Sequence, residues 1–66
     1  MKITGKVVFQ NISTGIWGII DKKGNQWEVM NMPKSMKVEG KEVSVTAIEE
    51  NSFSIFMWGT PVTIVS

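Results

Sequence analysis

The sequence predicts a small all-β barrel, and three observations carry that reading. Ile, Val and Thr make up about a third of the 66 residues. Such β-branched side chains suit a pleated, half-buried surface and lose rotamer freedom in a helix. Gly and Pro cut the chain into apolar segments of strand length. No stretch carries the apolar period of an amphipathic helix, so neither a helical membrane anchor nor a helix-in-groove motif is expected.

The elements follow in order. Ile3 to Phe9 reads as a strand whose Gly5 suits a bulge or a sharp coil. Gln10 to Gly15 is a loop of turn formers, and Ile16 to Ile20 is a second strand, again carrying a glycine. Asp21-Lys22-Lys23-Gly24-Asn25 is a hairpin turn with Gly24 available for positive φ. Gln26 to Met30 completes the hairpin, with Trp27 and Val29 on one face and Gln26, Glu28 and Met30 on the other. Pro33 ends that ladder and opens one helical turn to Lys37, at the first helical position. Met32 and Met36 then fall where they can cap a barrel end. Glu42 to Ile48 alternates, with Val43, Val45 and Ala47 inward and Glu42, Ser44, Thr46 and Ile48 outward. Glu49 to Ser52 is a second hairpin loop, Phe53 to Trp58 a strand broken by Gly59-Thr60-Pro61, and Val62 to Val65 a last short strand.

Five or six short strands joined by short loops suggest an antiparallel sheet that curls and closes, with Gly5 and Gly18 permitting tight coiling. A strand, a hairpin, a connector and two more strands is the order of an OB-fold, with residues 31–40 in place of the usual helix. An SH3-like barrel is the alternative. The whole chain forms one domain.

Ile3-Thr4-Gly5-Lys6-Val7-Val8, Gly15-Ile16-Trp17-Gly18-Ile19, Asn31-Met32-Pro33, the 40–45 stretch and Met57-Trp58-Gly59-Thr60-Pro61-Val62 cover most of the chain. On these segments it resembles a group of small, functionally uncharacterised OB-like domains of prokaryotes. The resemblance implies a fold and brings no site residues, because OB-folds host nucleic-acid, oligosaccharide and protein ligands alike.

Composition excludes several chemistries. His and Cys are absent, which removes the usual zinc ligands, a thiol nucleophile, an imidazole base and disulfides. Arg is absent and the net charge is +1, which argues against strong phosphate binding. The segment Met1 to Lys6 lacks the apolar core of a signal peptide, and no run is long enough to span a membrane. The expectation is a cytoplasmic protein, or an exported one if this is a fragment of a longer chain. The carboxylates Glu39, Glu42, Glu49 and Glu50 read as solvated loop and strand residues rather than an acid–base pair, and no nucleotide-binding or nucleophile motif occurs. No enzyme activity, cofactor or metal site is expected. The three clustered methionines Met30, Met32 and Met36 read as connector packing.

Two binding readings remain. In the first, Phe53 to Trp58 is apolar on both faces and lies beside Pro61, a residue suited to a sheet edge. An open barrel would then expose an edge at Phe56, Trp58 and Pro61 to a second copy or another protein, unless Trp58 packs on its own barrel. In the second, Trp17 and Trp27, with Lys22 and Lys23 at the hairpin tip, form a stacking platform for single-stranded nucleic acid or an oligosaccharide. Against it stands the reading of both tryptophans as core. The near-neutral charge favours the protein partner, most simply in a homodimer, over nucleic acid.

Overall fold

The computed structural model describes residues 1–12, 15–50 and 58–66. Within them lie five strands: β1 (Lys2–Gln10), β2 (Ile16–Asp21), β3 (Gln26–Val29), β4 (Glu42–Glu49) and β5 (Thr60–Ile64). They close into a barrel in the order β1-β2-β3-β5-β4, with β4 returning to β1. Four of the neighbouring pairs are antiparallel, but β3 and β5 run parallel. The wholly antiparallel sheet expected from short loops is therefore corrected. Parallel neighbours need a crossover, and the chain between β3 and β5 passes through the connector and β4 on its way back.

β1 is long because it serves two partners. Its first half pairs with β4 and its second half with β2, and Gly5 and Lys6 are paired on both sides. A side chain at Gly5 would run into the Ile20 carbonyl, and its Cβ would stand 2.7 Å from Asp21 Cα. Gly5 thus allows the close approach of β1 to β2 that closing so small a barrel demands.

Alternation puts Ile3 and Val7 of β1, Ile19 of β2, Val29 of β3, Val45 and Ala47 of β4 and Val62 of β5 into one buried cluster. Met32 closes it from the connector, and Met36, Trp17, Trp27, Val43 and Ile64 pack around it half-buried. The connector holds a single 3₁₀ turn, Lys34–Met36. Pro33 precedes that turn in extended conformation (φ −63°, ψ 145°) rather than forming its first residue. Asn31 extends the β3–β5 pairing with its side chain: Ile64 N–H donates to Oδ1 at 2.8 Å, and Nδ2 donates to the Ile64 carbonyl at 2.9 Å.

Gly59-Thr60-Pro61 does not break a ladder. Thr60 and Pro61 open β5 and pair with Trp27 and Glu28 of β3. The Pro61 carbonyl accepts from Glu50 N–H at 2.9 Å. Because the two polar groups of an extended residue point to the same side, the donor that proline lacks faces the end of β4 and costs the β3 ladder nothing. With β5 paired on both sides, the open edge expected there does not exist. The predicted strand Phe53 to Trp58 falls, up to residue 57, outside the described residues; Trp58 itself lies in a bend.

Candidate interaction face

The β2–β3 hairpin turns on Asp21. Its carboxylate accepts the Lys23 and Asn25 N–H groups, each at 2.9 Å, the Asn25 side-chain amide at 3.1 Å, and the Trp27 indole N–H at 3.0 Å. These donors, the indole first, hold the Asp21 carboxyl down at about 2 against burial, which acts the other way. Trp27 is tied by its one polar atom to its own hairpin. Lys22 and Lys23 stand exposed at the tip.

Trp17 lies toward the other end of the barrel. It sits opposite Phe9 across the β1–β2 pair, with ring centroids 5.0 Å apart and planes tilted by 57°. Ile19, not Trp17, is the residue facing Trp27. The four residues of the stacking reading are therefore divided: Trp27, Lys22 and Lys23 sit near the hairpin, and Trp17 sits beside Gly15.

The outer surface of β2 and β3 is covered by the chain itself. Gly18 and Glu28 are paired across the two strands. A Cβ at Gly18 would stand 2.9 Å from Trp58 Cη2 and 2.6 Å from the Trp27 carbonyl, so the Trp58 ring rests on the flat backbone that glycine leaves. Glu28 is only 3% exposed. Its Oε1 accepts the N–H groups of Trp58 at 2.9 Å and Gly59 at 3.1 Å. Strand alternation sets Glu28 on the face opposite Trp27 and Val29. It points outward, but residues 58–59 fold over it and make it a buried anchor. Of the residues assigned to a partner contact, Trp58 packs on its own barrel and Pro61 is paired with Glu28. Phe56 lies outside the described residues.

An exposed apolar face appears one row further on. On β4, Ile48 lies opposite Thr63 of β5. Met30 follows directly after the Val29–Val62 pair, with its N–H on the Val62 carbonyl at 2.9 Å, so it flanks Thr63 from the other side. Val65 lies next to Thr46, donating to its carbonyl at 2.9 Å. Val29, Ala47 and Val62 point into the core, so their neighbours Met30, Ile48 and Thr63 point out. Met30 is 60% exposed, Ile48 57% and Val65 52%. None of the four side chains is charged; Lys2, paired with Thr46, marks the border. Each of these residues reads singly as an ordinary exposed position. Only the pairing of β3 and β4 with β5 brings Met30 and Ile48 into one row.

Two depressions lie on the surface of the described residues. One of about 400 Å³ lies outside β1 over Gly5, between Lys6, Lys22 and Glu42. The other, about 290 Å³, lies beside Trp17, Met30 and Lys37 at the end of the barrel. Among the described residues no three Asp or Glu side chains gather as metal ligands would, and no helix is long and apolar enough to cross a membrane. No family model matches the chain, and neither the curated proteins nor the solved structures contain a match.

Proposed function

We propose that the chain is a non-catalytic protein-interaction module built on an OB-like barrel, which docks through the outer face of β3, β5 and β4. The strand order β1-β2-β3-β5-β4, with its five-stranded closed form, supports the OB-like reading over an SH3-like one. The observation that carries the docking reading is the uncharged row Met30–Thr63–Ile48 with Val65 beside it, in which Met30, Ile48 and Val65 are exposed around a half-buried Thr63. A solvated outer sheet face is ordinarily polar, and clustered exposed apolar side chains rimmed by polar ones mark association surfaces. The alternative, single-stranded nucleic acid or an oligosaccharide on the β2–β3 face, has less support. Trp58 already occupies that face, and the two tryptophans meant to stack are held apart and engaged elsewhere.

A photo-crosslinking residue at position 48, compared with one at Lys22, tests the docking reading in the cells that make the protein. The expected result is a crosslink from position 48 alone to a polypeptide that, once identified and purified, binds the wild type and not Ile48→Lys. Equal crosslinking from both positions, or none from 48, overturns it. Submicromolar binding of a single-stranded oligonucleotide that weakens steeply with salt would move the function to the alternative.

A further inference from the structure

We infer that the occupant of the β3–β5–β4 face is a second copy of this chain, packed face to face about a two-fold axis; this rests on the interaction-module reading above. The argument is one of charge and symmetry. The chain carries seven lysines and no arginine, with a net charge of +1. Most of those lysines stand on other outer surfaces: Lys6 and Lys22 beside β1, Lys23 at the hairpin tip, Lys34 and Lys41 on the connector, while Lys2, paired with Thr46, and Lys37, in the depression beside Met30, stand at the rim of this face. Self-apposition there would set ammonium against ammonium. Met30, Thr63, Ile48 and Val65 carry no charge, so among the described residues this row meets its own copy with no ammonium set against ammonium at its centre. A different protein is commonly selected by complementary charge, and these four side chains offer none to read.

The row is also suited to symmetry. In an isologous pair, when residue i meets j, j also meets i. β5 is the middle strand, with Met30 on one side of Thr63 and Ile48 on the other. An axis through Thr63 sets Met30 of each copy against the partner's Ile48, a deformable thioether chain against a stiff β-branched one. Both contacts then form at once, and Thr63 meets Thr63 at the centre.

Sedimentation velocity and light scattering from micromolar to millimolar concentration test this. The wild type is expected to pass from the 7.4 kDa monomer to twice that mass. Ile48→Glu and Met30→Lys should each hold the mass at the monomer while circular dichroism stays unchanged, since both side chains are exposed. Mixing the two variants should restore the dimer through one Glu–Lys contact, and the double variant should restore it alone. A wild type that stays monomeric at millimolar concentration overturns the inference. So does a dimer that survives Ile48→Glu, or a failure of the mixed variants to pair. A monomeric wild type whose position-48 probe still crosslinks to a different polypeptide overturns the second copy and leaves the module reading standing.

Discussion

At Asp21 a single carboxylate organises a turn, a strand start and a tryptophan. Its four donors all favour the ionised form. The folded-state value is depressed from 3.8 to about 2, so its contribution to stability is fully present above the unfolded value. It is lost as pH falls from about 4 through about 2. Urea titrations across this range should show the midpoint falling over that window in the wild type, and a flatter profile in Asp21→Asn. A wild type with no acid limb there would contradict the assignment. Glu28 presents the opposite situation, a carboxylate enclosed by backbone donors. Glu28→Leu strands the N–H groups of Trp58 and Gly59, at about 1–3 kcal/mol for each buried donor left unpaired. Chemical denaturation should show that loss, with Glu28→Gln, which keeps an acceptor, losing less. Asp21 was visible in the sequence as a turn residue. Glu28 was not, because alternation says which way a side chain points and nothing about what later folds over it.

The strands divide by how local their causes are. β4 alternates so regularly that its inner and outer residues were readable directly, and the structure buries Val45 and Ala47 while leaving Glu42, Ser44, Thr46 and Ile48 exposed. The hairpin joining β2 and β3 was equally plain, because its turn residues, Asp21 and Gly24 (φ 87°), act within five positions. β5 was misread at its start because Pro61 signals a break, and only the end of β4 beside it explains why no donor is missed. Asn31 likewise gave no signal of its role, since its partner Ile64 lies 33 positions away. Asn31→Ala removes two hydrogen bonds that splice β3 to β5, at about 0.5–1.5 kcal/mol each. Thermal unfolding should show a lowered Tm, with amide exchange at Ile64 accelerated more than at Ile19. Uniform acceleration would mean that Asn31 serves the barrel as a whole rather than this splice.

Across the whole molecule, closure and burial are one event. The core cluster takes side chains from all five strands, so no subset of strands can bury its face alone. Ile19 is fully buried at its centre. Ile19→Ala is expected to cost about 2–5 kcal/mol, enough to leave much of so small a domain unfolded at physiological temperature, as circular dichroism would show. Gly5→Ala should act at the same scale by a different route, because the Cβ meets backbone of β2 that cannot move without opening the barrel. Expression in the soluble fraction with a native-like spectrum would refute that. What the sequence by itself determined was whatever depends on neighbours a few positions apart: the β class from β-branched content, the strand faces from alternation, the hairpin from its turn residues, and the exclusion of thiol and imidazole chemistry from the residues it lacks. What only the tertiary structure decided depends on pairs far apart in the chain. These are the parallel β3–β5 contact, the closed edge at Pro61, Trp58 seated on Gly18 above Glu28, and the row joining Met30 to Ile48. Such pairs are set by which strands must meet to close the core, and no local pattern carries that information.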